Sequence, residues 1–310
     1  MIIVIFTSCL HIFWIYLLTK IYDLGAFGNG LSISITNFLN YFFVMFLSSC
    51  YSHKDSQVNF FIKESFTELV SFFKISIPNL LMICLQSWNY EIITIMTGYL
   101  EDVNQRNAHL LVVNFSVIVY MFPFGLSVGA SNIVGKYIGA SQPKKAYYSS
   151  NMIIVFSQIL SVIVICLLFV LQAFIPKILT NEIEVRKILE VLLMYFYFFC
   201  IFNFVTVSFA GIYRGIGYQM IIAVVNFICF YIFSIPLAYL LTFPLEFEVY
   251  GTRISYLIIV VILYVSYFAI YKFKVDFDII CHETVKRLQS DYGETTSGKR
   301  RDSIISVENL

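Results

Sequence analysis

One apolar stretch of the chain, residues 76–100, carries side chains that could hold a proton, a cation or a polar solute. It is long enough to cross a bilayer as a helix, yet it carries three amides and one carboxylate: Asn79, Gln86, Asn89 and Glu91. Polar groups are costly in lipid, so we expect them to face protein or a water-filled cavity. Because a helix has about 3.6 residues per turn, Asn79, Gln86 and Tyr90 share one narrow stripe. The spacing predicts a helix that lines a cleft, and hydrogen bonding between packed helices is the alternative role for the amides.

Glu91 is the only acidic residue well inside any predicted membrane span. A carboxyl group at that depth can bind a proton or a cation, so it can couple the movement of one to the other. The rings of Trp88 and Tyr90 flank the polar stripe, and aromatic faces attract organic cations. Two alternatives stay open: Glu91 bonds a neighbouring helix or reaches outward to the interface, and the two rings serve ordinary packing.

The composition indicates an integral membrane protein. Of 310 residues, 59% are hydrophobic and 13% are charged, with mean hydropathy +0.82. A soluble domain of this length could not bury so much apolar surface. Since the apolar runs are continuous and not alternating, they predict an all-α polytopic bundle and exclude a β-barrel. A net charge of +1 gives no indication of a nucleic-acid partner, and the cysteines and histidines are too scattered to predict a metal or cofactor site.

Eight apolar runs have the length of a membrane-spanning helix. They lie at about residues 2–19, 29–50, 75–98, 109–129, 149–174, 189–210, 219–242 and 254–271. Pro78 opens the third run, Pro123 and Gly125 interrupt the fourth, and Pro236 falls late in the seventh. Proline removes a backbone hydrogen bond and bends a helix. Such bends let part of a transporter move, and a static kink that improves packing is the alternative.

Three stretches carry motifs that go beyond composition: FFKISIPNLLMICLQSWNYEIITIMTGYL, YMFPFGLSVGASNIVGKYIGASQPKKA and FAGIYRGIGYQMIIAVVNFICFYIFSIPLAYLL. The small residues of the second stretch let helix backbones approach closely. It lacks the G-x-x-x-x-G-K-[ST] pattern of a P-loop. In this order and spacing, the three stretches resemble motifs of the multidrug and toxic compound extrusion (MATE) family of secondary transporters, especially its eukaryotic branch. The matching residues include Pro78, Trp88, Glu91, Pro123, Gly125, Gly135, Gly139, Arg214, Gly215, Gly217 and Pro236.

The resemblance covers residues 1–272 and matches spans five to twelve of a family whose members have twelve spans in two six-helix lobes. It implies a partial MATE fold in which residues 1–50 are a two-span remnant of the N-lobe and residues 75–272 are the six-span C-lobe. Residues 51–74 would then be a cytoplasmic linker between the lobes, and residues 273–310 a polar cytoplasmic tail that is largely disordered. Basic residues lie mostly on the side of the N-terminus and the tail, which predicts that both termini are cytoplasmic.

The resemblance implies a monomeric antiporter that exports organic, cationic solutes or xenobiotics across a plasma or vacuolar or vesicular membrane, in exchange for protons or sodium. Independently of the resemblance, we interpret Arg214 and Gly215 as a tight cytoplasmic connection. The first alternative is a truncated fragment or subunit that does not transport by itself. A membrane enzyme is less favoured, because no HExxH motif, Ser-His-Asp set or paired intramembrane carboxylates are present. The span count argues against a seven-helix receptor.

The sequence departs from the family at two positions that matter for ion coupling. The first acidic residue of the family's third-stretch motif is Gln86 here, and the acidic residue eight positions before Gly211 is Asn203. Both carboxylates are replaced by amides of similar shape, which hydrogen-bond a solute but do not titrate. We therefore expect proton coupling in this lobe to depend on Glu91, with Gln86, Trp88, Tyr90 and Asn203 shaping the cleft.

Overall fold

The computed structural model describes residues 2–51 and 69–295, which are almost entirely helical and contain no β-strand. The chain divides into two compact units, Met1–Val70 and Ser71–Leu310. Most of the predicted linker, residues 51–74, lies outside the described residues.

The first unit is a helical hairpin. Helix α1 (Ile2–Tyr16) continues into a π-helical segment (Leu17–Ile21), and α2 (Gly25–Tyr51) follows after a short turn. Polar pairs join the two helices: Thr7 Oγ1 donates to Asn40 Oδ1 at 2.5 Å, and His11 Nδ1 lies 2.9 Å from Thr36 Oγ1. These side-chain contacts link the two helices through polar groups that lie among apolar neighbours.

The second unit contains nine further helices and one further π-helical segment within the described residues. The helices are α3 (Leu69–Thr97), α4 (Val103–Gly139), α5 (Pro143–Leu171), α6 (Ile175–Leu179), α7 (Ile183–Gly215), α8 (Gln219–Phe227), α9 (Ile235–Thr242), α10 (Glu248–Lys274) and α11 (Phe277–Thr295). Two large clusters of buried apolar residues form the core of this unit. Helix α7 contributes to both clusters and packs against α4, α5 and α10.

Seven helices of the described chain are long and apolar enough to cross a membrane. In this count, α8, the second π-helical segment and α9 are one continuous span. They match all of the predicted spans except the third. The third corresponds to α3, a 29-residue helix that carries the polar stripe. The predicted all-α bundle is thus confirmed. The last predicted span begins too late, since α10 starts at Glu248 and so includes Arg253, which the sequence analysis leaves in a loop.

Small residues bring α4 and α7 into close contact. A Cβ atom added to Gly211 would lie 2.2 Å from the Ser127 carbonyl oxygen, and one added to Gly215 would lie 2.9 Å from the Ser131 carbonyl oxygen. Gly135 faces the backbone of Gly215 one turn further along. The glycines of α7 therefore fit against the serine and glycine turns of α4, which is the close backbone approach that these small residues predict.

The span formed by α8 and α9 is interrupted by a π-helical segment, Ile228–Ser234. Pro236 follows directly and has no backbone N–H to donate, so the preceding turns cannot all close in the α-helical pattern. Carbonyl groups of this segment also accept hydrogen bonds from neighbouring helices. Phe230 O accepts from Asn89 Nδ2 of α3 at 3.0 Å, and Ser234 O accepts from Ser255 Oγ of α10 at 3.1 Å.

Part of the polar tail is helical, which differs from the disordered tail that the sequence predicts. Helix α11 covers Phe277–Thr295, and it contacts α4 and α5. Phe277, Ile280 and Cys281 are buried on its apolar face, whereas residues 296–310 lie outside the described chain.

In the turn before α8, burial together with the carboxylates of Glu283 and Asp276 raises the pKa of the Tyr218 phenol, which therefore stays neutral over the physiological range.

Candidate functional site

The second unit encloses a cavity of about 300 Å³, which is within the size range of small-molecule sites. Its wall is built by α3, α4, α7 and α10, with α8 and the π-helical segment closing one side. Aromatic rings supply much of this wall: Tyr90, Tyr120, Phe124, Tyr195, Phe196, Phe199, Phe204, Phe230, Tyr256 and Tyr267.

The cavity brings together four of the six polar and aromatic residues that the sequence analysis singles out. Gln86, Tyr90 and Glu91 reach it from α3, and Asn203 reaches it from α7. Glu91 is exposed, Gln86 and Tyr90 are half-buried, and Asn203 is buried. Of the three stripe residues, Gln86 and Tyr90 line the cavity and Asn79 does not, and the amides of Gln86 and Asn203 contribute to the same wall.

Two of the singled-out residues lie elsewhere. Trp88 is 56% exposed and does not line the cavity. Asn79 is half-buried outside the cavity, and its Oδ1 has no hydrogen-bond partner among the described residues. Asn89 does join helices, as the alternative reading of the amides proposes, because its Nδ2 donates to Phe230 O.

Asn226 of α8 connects three helices within the cavity wall. Its Nδ2 donates to Met82 O of α3 at 3.2 Å, and its Oδ1 accepts from the Tyr267 hydroxyl of α10 at 2.5 Å. The backbone of Tyr267 in turn accepts from the Tyr213 hydroxyl of α7 at 2.5 Å. This network fixes α3, α7, α8 and α10 at the point where their side chains enter the cavity.

Arg253 is a cavity residue that the sequence analysis does not identify. It lies in the second turn of α10, is only 7% exposed and lines the cavity. Its Nη2 donates to His109 O at 3.2 Å and lies 3.3 Å from His109 Nδ1, while the guanidinium carbon lies 5.8 Å from the ring centre of Tyr256. Its Nε has no partner among the described residues.

The partners of His109 define which nitrogen carries its proton. An arginine N–H can only donate, so His109 Nδ1 must accept, and the remaining ring nitrogen Nε2 bears the hydrogen. Nε2 lies 3.4 Å from Thr94 Oγ1, and Thr94 donates its own proton to Tyr90 O at 2.8 Å. His109 is therefore a neutral imidazole that links Arg253 of α10 to the backbone of α3.

A second arginine lines the cavity from α7. Arg214 Nη2 donates to Ser127 Oγ at 2.6 Å, beside the close contact of α4 with α7. The sequence indicates that Arg214 is part of a tight cytoplasmic connection. The positive φ of Gly217, +85°, agrees with a tight turn there, and the side chain of Arg214 adds a charge to the cavity wall.

Among the described residues, the cavity wall contains two arginines and one carboxylate. Neither arginine forms an ion pair with Glu91 or with any other described carboxylate. No group of histidine, cysteine, aspartate and glutamate side chains in the described part of the chain could hold a metal ion. The arrangement therefore offers an organic solute aromatic faces, amides and fixed charges.

Helices long enough to cross a membrane, arranged around a solute-sized cavity with ionisable groups in its wall, define a polytopic membrane protein with a candidate solute site. The MatE family model matches residues 78–240, more than half of the chain, so this protein belongs to the MatE family. Members of the family are transporters and not enzymes. The chain is thus a multi-pass integral membrane protein, and the resemblance seen in its motifs is confirmed.

Known relatives are longer than this chain. Multidrug and toxin extrusion protein 2 of Homo sapiens is 27% identical over 91% of this chain and 47% of its own length. Protein DETOXIFICATION 28 of Arabidopsis thaliana is 27% identical over 78% of this chain and 49% of its own length. The crystal structure of the eukaryotic MATE transporter AtDTX14 matches with a TM-score of 0.83 and 23% identity, covering 91% of this chain and 63% of that one. The chain spans about half the length of the curated relatives it matches.

Proposed function

We propose that this protein acts as a secondary-active antiporter that exports small organic solutes, including xenobiotics, in exchange for protons or sodium ions. The observation that supports this most directly is the cavity beside the polar stripe of α3, where Glu91 is the one carboxylate that lines it within the described residues. An exposed carboxylate in a solute-sized cavity can bind the coupling ion and a positively charged group of the solute in turn. The aromatic wall supports binding of an organic cation.

The family relationship supports transport. The amides Gln86 and Asn203, which replace acidic residues of the family, affect how transport is coupled to an ion. Gln86 and Asn203 retain hydrogen-bonding groups in the cavity wall but cannot change charge. We therefore assign proton exchange to Glu91 alone. Sodium would need several oxygen ligands, which the two amides and Glu91 could supply together.

A second candidate follows from the length of the chain, which is about half that of its relatives. In this alternative, the 310 residues transport only together with a further set of helices. We interpret residues 1–50 as two N-lobe spans and residues 75–272 as the C-lobe. Alternating access requires two lobes that rock about a site between them.

The test joins four N-terminal spans from the human relative to this chain and reconstitutes the product in liposomes. Efflux of a fluorescent organic cation is measured under a pH gradient and, separately, under a sodium gradient. Efflux under either gradient supports the proposal and identifies the ion. Absence of efflux with both gradients, in protein that remains folded and inserted, would refute it.

We further propose that both termini are cytoplasmic, that the membrane is the plasma membrane or a vacuolar or vesicular one, and that the transporter is a monomer. The basic residues at the end of α10, Lys272 and Lys274, support this orientation.

A further inference from the structure

The buried guanidinium of Arg253 has no neutralising partner among the described residues. Among the described residues, the only ion pair joins Lys187 to Glu184, and neither residue lines the cavity. An arginine side chain remains charged under all ordinary conditions. A buried charge without a counter-ion is costly, above all within a membrane span, and such residues mark solute or ion sites.

The contacts that Arg253 does make are dipolar. His109 contributes a carbonyl oxygen and a neutral ring nitrogen, and Tyr256 contributes the face of its ring. These groups orient the guanidinium but leave its charge uncompensated. One donor, Nε–H, has no acceptor, and the hydroxyl of the 5% exposed Tyr256 is also unpaired. Two buried polar groups in one section of the cavity wall therefore lack partners.

We infer that Arg253 and the Tyr256 hydroxyl form an anion-binding subsite within the cavity, which takes an anionic group of the transported solute. The inference rests on the proposed role of the cavity as a solute site and specifies one class of group that the site binds. A carboxylate fits best, because its two oxygens match the planar donors of a guanidinium and can also accept from a hydroxyl. The rings of Tyr90 and Tyr256, whose centres lie 5.0 Å apart with their planes tilted by 33°, provide an aromatic surface beside it.

The charges facing the subsite agree with this assignment. Tyr90 approaches from α3 and His109 from α4, both neutral, and the nearest wall of α7 carries the neutral amide of Asn203. Glu91 is the one carboxylate facing the subsite among the described residues; its charge acts on Tyr256, but it forms no ion pair with Arg253. A solute with both a cationic and an anionic group could therefore use Glu91 and Arg253 together. A purely cationic solute would leave Arg253 unpaired.

The test measures equilibrium binding of three radiolabelled probes of similar size to the purified full-length chain in lipid nanodiscs: benzoate, benzylammonium and benzyl alcohol. We expect benzoate to bind more tightly than benzyl alcohol. The substitution Arg253→Gln should weaken benzoate binding by about tenfold, the loss expected for one charge-assisted interaction, and should not weaken binding of benzylammonium. Glu91→Gln, at an exposed position where folding is not at risk, should strengthen benzoate binding.

Arg186→Gln is the matched control. Arg186 also donates through Nη2 to a backbone carbonyl, Thr180 O at 3.0 Å, and its Nε is also unpaired, but it does not line the cavity. Its substitution should leave benzoate binding unchanged. If benzoate binds no better than benzyl alcohol, or binds Arg253→Gln as well as wild type while Glu91→Gln has no effect, the subsite does not exist.

Competition with chloride distinguishes an inorganic anion from an anionic group of the solute. If sodium chloride displaces benzoate at concentrations below those of benzoate itself, the subsite holds an inorganic anion; if it does not, the anionic group belongs to the solute. Comparison with the efflux assay separates the two proposals. If benzoate binding depends on Arg253 but the version with four added spans shows no solute efflux, the antiporter is refuted and the subsite is retained. Efflux without Arg253-dependent binding would refute the subsite and retain the antiporter.

Discussion

Glu91 and Gln86 reach the same cavity from adjacent turns of α3, yet only Glu91 can change its charge. In the transporter completed with four N-terminal spans, we expect Glu91→Gln to abolish efflux driven by a pH gradient, because no other carboxylate of the described residues lines the cavity. Gln86→Glu should alter both the rate and its pH dependence. The measurement is efflux of a fluorescent cation from liposomes.

Glu190→Gln provides the control for this pair, since Glu190 is an exposed carboxylate on α7 that does not line the cavity. It should leave efflux unchanged. Full pH-driven efflux by Glu91→Gln would exclude Glu91 as the coupling residue, and an unaltered Gln86→Glu variant would show that this position does not meet the transported species.

Asn226 bonds two helices at once, so its loss should reduce stability more than its size suggests. Asn226→Ala leaves the Met82 carbonyl and the Tyr267 hydroxyl unpaired in buried positions. We expect the free energy of unfolding to fall by about 2 kcal/mol, measured by circular dichroism during denaturation in mixed micelles.

Tyr267→Phe removes only one of these two bonds and should cost less than Asn226→Ala. The double variant tests their coupling. If the two effects add without an interaction energy, the hydroxyl and the amide are not bonded to each other.

At the scale of single residues, the sequence predicts which side chains of one helix share a face better than it predicts which side chains meet across helices. The 3.6-residue period groups Gln86 and Tyr90, which both line the cavity, but it groups Asn79 with them, which does not. Arg253 could not be assigned in this way, because it lies outside the apolar run that marks its span. Its burial depends on contact with His109 of α4, which no pattern within α10 indicates. A basic residue directly before a predicted span was the available signal.

At the scale of elements, the contact between α4 and α7 depends on the absence of side chains at two glycines. Gly211→Ala places a methyl group 2.2 Å from the Ser127 carbonyl oxygen, so the helices must separate. We expect a destabilisation of about 1–3 kcal/mol, the usual cost of overpacking, seen as a lower melting temperature of the purified protein. The shift also disturbs Ser127, which accepts the hydrogen bond of Arg214.

Gly129→Ala is the matched control in the same pair of helices. A Cβ atom at Gly129 has no described neighbour within 4 Å, so the substitution should be neutral or stabilise by up to about 1 kcal/mol, because alanine favours the helix. Equal loss of stability in both variants would contradict the close contact.

Element boundaries show where sequence patterns fail. Small residues and apolar runs predict helices and their close packing, because both effects depend on local composition. The helical tail is missed, since α11 is polar overall and depends on burying Phe277, Ile280 and Cys281 against other elements. Pro236 predicts a disturbed helix, whereas the form of the disturbance, a π-helical segment, follows from bonds to α3 and α10.

At the scale of the whole molecule, the first prediction concerns orientation. From the eight predicted spans and the basic end of α10, we expect both termini on the cytoplasmic side. Tags at each end, probed with protease in sealed vesicles of known orientation, should be equally accessible. Opposite accessibility would mean that the span count is wrong by one, and α3 is the helix to re-examine, since it is the predicted span that is absent from the seven found by length and composition.

The second prediction concerns sufficiency. The 310-residue chain alone should bind solutes in its cavity but should not drive uptake in liposomes, whereas the version with four added spans should. Robust uptake by the 310-residue chain would show that one lobe and two further helices are enough for transport.

The π-helical segment at Ile228–Ser234 also affects how this chain tolerates changes in length. Such a segment holds more residues per turn than an α-helix, so it stores surplus residue length within an otherwise regular span. Removing one residue there lets the segment relax to an α-helix while α8 and α9 keep their facing sides. Removing one residue from the middle of α10 instead rotates everything beyond the deletion by about 100°. We expect the first deletion to yield folded protein and the second to prevent insertion, as judged by size-exclusion chromatography. Natural variation in chain length is therefore expected to concentrate in the π-helical segment.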